Sequence, residues 1–152
     1  YKAAGGDLNV VSEICERTRE EDFQVLAGND GETLPIISVG GRGAISVAAN
    51  VEPERMGALV DDALADDYAA ARERHHELGP LFRTLFVETN PIPVKAAMAI
   101  RGHGNGNVRP PLTEISPAHR DLPEAAPPAL PGRPAQAARA HRIPSRGADP
   151  DP

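Results

Sequence analysis

The sequence predicts an α/β fold that is followed by a block of helices and a proline-rich tail. Up to residue 50, short apolar runs alternate with longer runs of helical periodicity, a pattern typical of parallel strands joined by crossover helices. After residue 50 the helical period continues without strands, and 8 of the 16 prolines fall within residues 123–152. We therefore divide the chain into residues 1–50, 51–122 and 123–152.

Three strands and two helices are predicted in the first fifty residues. In chain order they are a strand at 1–4, a helix at 8–20, a strand at 23–26, a helix at 33–38 and a strand at 44–47. The first helix is indicated by Leu8, Val11 and Ile14 at helical spacing, with Asp7 placed as its N-cap. The βαβαβ order implies that the strands are parallel.

Three further helices are predicted in the helical block. They cover residues 53–65, 67–86 and 91–100, and a glycine-rich run at 102–106 ends the last one. Pro53 suits the first helical position, and Met56, Leu59, Val60 and Leu64 fall on one face of the helix that follows.

The tail is not expected to fold. A helix start is predicted at Ser116 and Pro117, but Pro123 cuts it off. Residues 127–134 hold too many prolines for a helix or a sheet ladder. Residues 123–152 are either a disordered tail or the product of a changed reading frame near Leu122, and the abrupt end of the helix favours the second interpretation.

Charge and composition argue against several classes of function. Residues 1–122 hold 12 Lys and Arg against 19 Asp and Glu, and an acidic body disfavours nucleic acid as a partner. The sequence contains neither an apolar run near the roughly 18 residues of a membrane helix nor a signal sequence, so we expect a cytoplasmic protein without a membrane partner. The single cysteine, Cys15, is expected to be a small buried hydrophobe.

Four motifs, in order, resemble the dihydrodipicolinate synthase family. They are Lys-Ala-Ala-Gly-Gly-Asp at residues 2–7, Leu-Ala-Gly-Asn-Asp at 26–30, Gly-Gly-Arg-Gly-Ala-Ile-Ser-Val-Ala-Ala-Asn-Val at 40–51 and Phe-Val-Glu-Thr-Asn-Pro-Ile-Pro-Val-Lys at 86–95. The first is similar to the Lys-Glu-Ala-Ser/Thr-Gly-Asp/Asn segment of that family. The resemblance implies a partial (β/α)8 TIM barrel, in which residues 1–50 supply strands six to eight and residues 51–122 supply the C-terminal helices.

The resemblance makes Lys2 the catalytic Schiff-base lysine, at the C-terminal end of barrel strand six. A neutral lysine amine condenses with a ketone, and the resulting iminium lets the adjacent carbon become an enamine nucleophile. Burial in a barrel mouth favours the neutral amine. Without the flanking motifs, Lys2 would be interpreted as a solvated charge. Ile45 matches the family position whose main chain touches bound pyruvate, so it is the predicted substrate-binding residue.

The implied activity is that of a class I aldolase, a lyase of lysine biosynthesis through diaminopimelate. Its substrates are pyruvate and L-aspartate 4-semialdehyde, and its product is 4-hydroxy-tetrahydrodipicolinate. The resemblance further implies a homotetramer and neither a metal nor an organic cofactor. His75 and His76 are not predicted to bind a metal, because adjacent helix positions do not share a face.

The chain also departs from the family pattern. Ala3 and Gly5 stand where the family has Glu and Ser or Thr, and nothing corresponds to strands one to five. Three strands cannot close a barrel, so we expect the isolated chain to be poorly folded or aggregation-prone and essentially inactive. Two alternatives stay open. One is another pyruvate-dependent aldolase, such as an N-acetylneuraminate lyase or a sugar-acid aldolase, and the other is a noncatalytic helical interaction fragment formed by residues 53–100.

Overall fold

The structure, a computed structural model, describes residues 1–121. The elements in this part of the chain are β1 (Lys2–Ala3), α1 (Leu8–Arg17), β2 (Leu26–Ala27), a 3-10 turn (Asp30–Glu32), α2 (Thr33–Ser38), a 3-10 turn (Ala48–Asn50), α3 (Pro53–Leu64), α4 (Tyr68–Thr84), α5 (Ile92–Ile100) and a 3-10 turn (Pro117–His119). The tail predicted at residues 123–152 lies outside the described residues. None of the helices within residues 1–121 is both long and apolar enough to cross a membrane.

The two strands lie side by side and run parallel. Lys2 is opposite Leu26, and Ala3 is opposite Ala27. On the other side of β2, Ala27 forms a single parallel bridge with Ala44. The parallel direction is the one that the predicted crossover helices require.

The prediction of a third strand at residues 44–47 is wrong, because only Ala44 pairs with a neighbour. The N–H of Ile45 still donates to the Ala27 carbonyl at 2.8 Å. Beyond this bond, the Asp30 carboxylate accepts the N–H of Ala48 at 3.0 Å, and the chain turns into a 3-10 turn. Of the other two strands, β1 is shorter than its predicted range of 1–4, and β2 is shifted from its predicted range of 23–26. Barrel strands six to eight are therefore not seen as three regular strands.

The first helix confirms its predicted start but ends early. The Asp7 side chain accepts the N–H groups of Asn9 and Val10 at 2.9 and 3.4 Å, and so caps the helix as predicted. The helix ends at Arg17 instead of residue 20. At that point the hydroxyl of Thr18 donates to the Ile14 carbonyl at 2.8 Å, and the backbone of Thr18 leaves the helical conformation.

The helices of the second part begin near their predicted positions. Pro53 opens α3, whose buried face carries Met56, Leu59 and Ala63, whereas Leu64 is 43% exposed. The helix α5 ends in a Schellman motif at Gly102. The φ of Gly102 is +80°, a value that favours glycine. The motif has two hydrogen bonds. The N–H of Gly102 donates to the Ala99 carbonyl at 3.0 Å, and the N–H of His103 donates to the Met98 carbonyl at 2.8 Å.

Two apolar clusters stabilise the described part. The smaller packs α1 and α2 against the strands, and its buried members are Ala3, Val11, Val25, Ala27 and Ile36. The larger joins α2 to the helices of the second part, and its buried members are Ile37, Ala48, Val51, Met56, Leu59, Ala63, Ala71, Leu78, Leu81, Phe82, Leu85, Val94 and Ala97. Because Ile36 and Ile37 are adjacent, α2 connects the two clusters.

Candidate active site

Lys2 lies on β1, and its side chain extends along the end of β2. A Cβ placed on Gly28 would stand 2.9 Å from the Lys2 Cε and 2.8 Å from the Ala3 carbonyl oxygen. The N–H of Gly28 also donates to that carbonyl at 2.6 Å. Glycine is therefore required for this close approach. The Lys2 side chain is exposed, so residues 1–121 do not themselves bury its amine.

Ile45 lies on the opposite side of β2. Its N–H is occupied by the Ala27 carbonyl, whereas within the described residues its own carbonyl accepts no hydrogen bond. Within the described residues, the carbonyl of Ile45 is therefore free to accept a hydrogen bond. Ala27 and Ala44 form the bridge, and Gly28 and Ile45 are the residues that directly follow them in the chain. The two predicted site residues thus flank the end of β2, with Gly28 between them.

The turn after β2 holds a buried carboxylate, Asp30, that was not among the predicted site residues. Asp30 is 2% exposed, and its Oδ2 accepts the N–H of Ala48. Its Oδ1 and the hydroxyl of Thr33 are both buried, and neither has a partner among residues 1–121. The neighbouring Asn29 donates through Nδ2 to Glu32 Oε2 at 3.1 Å. The signal that could have found Asp30 is its place in the motif at residues 26–30.

A charged pair, Arg101 and Glu52, holds the chain beyond Ile45. Arg101, at the end of α5, donates through Nη1 to the Val51 carbonyl at 2.8 Å and pairs through Nη2 with the Glu52 carboxylate. Glu52 is 6% exposed. The segment after Ile45 is thereby attached to α5.

Glu88, Ser116 and His119 form a cluster that resembles a catalytic triad in composition only. The Glu88 Oε1 lies 2.7 Å from the His119 Nδ1 and accepts the N–H of Ser116 at 3.0 Å. The Ser116 hydroxyl lies 3.3 Å from that same ring nitrogen. A proton relay needs the hydroxyl and the carboxylate on different ring nitrogens, so this cluster is structural. Hydrogen bonds from Ser116 and then His119 hold the pKa of Glu88 below its ordinary value.

The other groups that could carry chemistry, His75 and Cys15, have packing roles. His75 is half-buried against Phe82, with ring centres 5.9 Å apart, and burial together with the charge of His76 lowers its pKa. His76, by contrast, is exposed. Cys15 packs on the smaller cluster, and burial raises the pKa of its thiol.

A cavity of about 570 Å³ opens at the other end of the strands. Cys15, Arg42 and Tyr68 are among its lining residues, whereas Lys2 and Ile45 are not. Parallel sheets of barrels carry their chemistry at the carboxyl ends of the strands, so we place the candidate site at Lys2 and not in this cavity.

Known proteins that are similar to this chain agree with one another. Residues 1–126 match the model of the dihydrodipicolinate synthetase family. The 4-hydroxy-tetrahydrodipicolinate synthase of Haloarcula marismortui is 64% identical over 121 residues, which are 80% of this chain and 40% of that protein. The synthase of Methanosarcina barkeri is 55% identical over 115 residues, which are 76% of this chain and 40% of that protein.

Solved structures give the same result. The crystal structure of dihydrodipicolinate synthase from Aquifex aeolicus has a TM-score of 0.79 and 43% identity, over 82% of this chain and 42% of that one. The enzyme from Thermotoga maritima has a TM-score of 0.79 and 37% identity, over 82% of this chain and 43% of that one. These relatives are TIM-barrel enzymes, and the fold of the chain is α/β as predicted. The chain spans about two fifths of the length of the relatives it matches. Because the family model covers residues 1–126 of the 152, the chain belongs to the dihydrodipicolinate synthetase family.

Proposed function

We propose that a barrel containing this chain is a 4-hydroxy-tetrahydrodipicolinate synthase that forms a Schiff base on Lys2. The observation that carries the proposal is the arrangement at the end of β2. There the Lys2 Cε lies against Gly28, and Ile45 is the residue directly after Ala44, which forms the bridge with Ala27. The relatives that carry this enzyme name support the same activity.

The proposed reaction uses the Lys2 amine as a covalent catalyst. The amine adds to the keto carbon of pyruvate, water leaves, and an iminium forms. Loss of a methyl proton gives an enamine, whose carbon attacks the aldehyde carbon of L-aspartate 4-semialdehyde and forms the new C–C bond. The amino group of the semialdehyde then replaces the lysine nitrogen, which closes the ring and frees Lys2. In this scheme the Ile45 carbonyl contacts the bound pyruvate.

The proposal extends to the architecture around the site. We assign β1, β2 and the segment at Ala44 to barrel strands six, seven and eight, within a barrel part at residues 1–50. Residues 51–122 are assigned to the C-terminal helices. The complete enzyme is proposed to be a cytoplasmic homotetramer that needs neither a metal nor an organic cofactor.

The test is reductive trapping in a full-length protein. We would replace the matching segment of the Haloarcula marismortui synthase with residues 1–121 of this chain. The resulting hybrid protein is called the chimera. The chimera is incubated with pyruvate and borohydride, and the modified peptide is mapped by mass spectrometry. Lys95 is a matched control, because it is the other lysine of the chain and its amine donates to the Asn107 carbonyl at 2.7 Å.

We expect a reduced pyruvate adduct on Lys2 that Lys2→Arg abolishes and Lys95→Arg leaves unchanged. The chimera should also form 4-hydroxy-tetrahydrodipicolinate from aspartate semialdehyde. An adduct on Lys2 without this product would point instead to another pyruvate-dependent aldolase. A well-folded chimera that traps no pyruvate on Lys2 would contradict the assignment and favour a noncatalytic helical role.

A further inference from the structure

Asp30 is a buried carboxylate whose contact is with a distant segment. Its side chain is 2% exposed, and its Oδ2 accepts the N–H of Ala48, 18 residues further along the chain, at 3.0 Å. Its Oδ1 has no partner among residues 1–121. Burying a carboxylate with an unpartnered oxygen costs stability. Packing therefore does not explain an acid at this position, whereas the bond to Ala48 does.

The segment that Asp30 holds is the one that carries Ile45. It runs over residues 45–52 and is called the Ile45 loop. Arg101 fixes its far end by donating to the Val51 carbonyl at 2.8 Å. Asp30 fixes its middle from the 3-10 turn that follows β2. The conformation of the loop, and with it the direction of the Ile45 carbonyl, therefore depends on the Asp30 carboxylate.

The stretch that contains Asp30 also contacts the catalytic lysine. Gly28, two residues before Asp30, allows the Lys2 Cε to lie against its backbone. Residues 28–30 are thus in contact with Lys2 at one end and with the Ile45 loop at the other. A shift at Asp30 changes the position of the Ile45 carbonyl relative to the Lys2 amine.

We propose that Asp30 is a positioning residue, which sets the position of the Ile45 carbonyl relative to the Lys2 amine by holding the N–H of Ala48. The inference rests on the function proposed above and deepens it. Asp30 acts through the loop and touches neither substrate. The group it provides is a hydrogen-bond acceptor, so an amide oxygen in the same place should serve.

The experiment compares three variants of the chimera. Asp30→Ala removes the acceptor, and Asp30→Asn keeps an accepting oxygen. Thr33→Val is the matched control, because Thr33 is fully buried one turn away and its hydroxyl has no partner among the described residues. The measurements are pyruvate KM, kcat, the rate of borohydride trapping on Lys2, and hydrogen exchange of the amides of residues 46–50.

We expect Asp30→Ala to raise pyruvate KM about tenfold and kcat to fall less than about threefold, since a binding contact is misplaced while the lysine remains. The amides of residues 46–50 should lose protection, while those of α3 and α4 keep it. Asp30→Asn and Thr33→Val should stay within about threefold of the wild type.

Two failures can be told apart. If the wild-type chimera traps no pyruvate on Lys2, the proposed function fails and the inference falls with it. If the wild type traps pyruvate but Asp30→Ala leaves KM and loop exchange unchanged, the inference alone is overturned. The same holds if Asp30→Asn is as impaired as Asp30→Ala, because the acceptor role would then be wrong.

Discussion

At the scale of single residues, Gly28 is the position on which the placement of Lys2 depends most directly. A Cβ there would lie 2.7 Å from the Ala4 Cβ and 2.9 Å from the Lys2 Cε. Both distances are too short, so Gly28→Ala must displace the lysine arm or separate β1 from β2. We expect this change in the chimera to lower the rate of borohydride trapping on Lys2 at least about tenfold. Overpacking should also cost about 1–3 kcal/mol of unfolding free energy, measured in urea.

Gly31 provides the control for this prediction. A Cβ on Gly31 meets nothing within 4 Å, so Gly31→Ala should keep the trapping rate and the urea midpoint near their wild-type values. If the two alanine variants trapped pyruvate equally fast, the close approach of Lys2 to Gly28 would have no role in the reaction.

The sequence predicts Lys2 and Ile45 as site residues, but it does not predict which residues contact them. Those two were found because they stand in motifs that resemble a family. Gly28 and Asp30 also stand in such a motif, at residues 26–30, but the motif alone indicates no separate role for either residue. The bond from Asp30 spans 18 residues, and local composition carries no information on a contact of that separation.

At the scale of elements, local signals were reliable and pairing signals were not. Pro53 predicted the first residue of α3, and Asp7 predicted the cap of α1, because both act within one helical turn. The strand predicted at residues 44–47 had the right apolar character. It is reduced to a bridge at Ala44, because a strand extends only as far as a neighbour pairs with it.

The link between α5 and the Ile45 loop gives a prediction about stability. Arg101→Met removes the donor to the Val51 carbonyl and leaves Glu52, which is 6% exposed, without its cation. We expect a loss of about 1–3 kcal/mol in the urea unfolding free energy of the chimera, because a buried charge loses its partner. The double variant with Glu52→Gln should recover part of this loss.

An exposed ion pair on α1 is the comparison. Arg17 and Glu13 pair with side chains that are 76% and 57% exposed, so Arg17→Met should cost less than about 0.5 kcal/mol. Equal losses from Arg17→Met and Arg101→Met would mean that the burial of Glu52 contributes nothing to the effect.

The contact between Glu88 and the last 3-10 turn predicts a pH dependence. Hydrogen bonds from Ser116 and then His119 lower the pKa of Glu88 in the folded state. A carboxyl whose folded pKa lies below its unfolded value, about 4.3, stabilises the fold above that value. This stabilisation is lost as the pH falls through the lower folded pKa. Urea unfolding of the chimera at neutral and acidic pH should therefore show a smaller acid loss in Glu88→Gln than in the wild type.

Glu114 is the matched carboxylate for this test, because it lies exposed in the same C-terminal segment. Glu114→Gln should leave the acid loss of stability at its wild-type size. A Glu88→Gln variant with the full wild-type pH dependence would show that the Ser116 and His119 contacts do not stabilise the fold.

At the scale of the whole molecule, both edges of the small sheet have unpaired backbone groups within residues 1–121. The carbonyls of Tyr1 and Ala3 accept bonds from β2, so the N–H and carbonyl of Lys2 point to the opposite side of β1. In the same way, the carbonyl of Gly43 and the N–H of Ile45 bond to Ala27, which turns the backbone of Ala44 outward. Unpaired strand edges promote association, and here they flank the candidate site.

These edges determine how the chain should behave with and without the rest of a barrel. We expect the 152-residue chain alone to elute as large aggregates in size-exclusion chromatography and to trap no pyruvate. Coexpression with the segment of the Haloarcula marismortui synthase that the chain does not match should cover both edges, yield a monodisperse complex and restore trapping on Lys2. Lys2→Arg should assemble equally well but trap nothing, because assembly uses the backbone and trapping uses the amine. A chain that is monodisperse alone and ignores the added segment would contradict the idea that these edges are pairing surfaces.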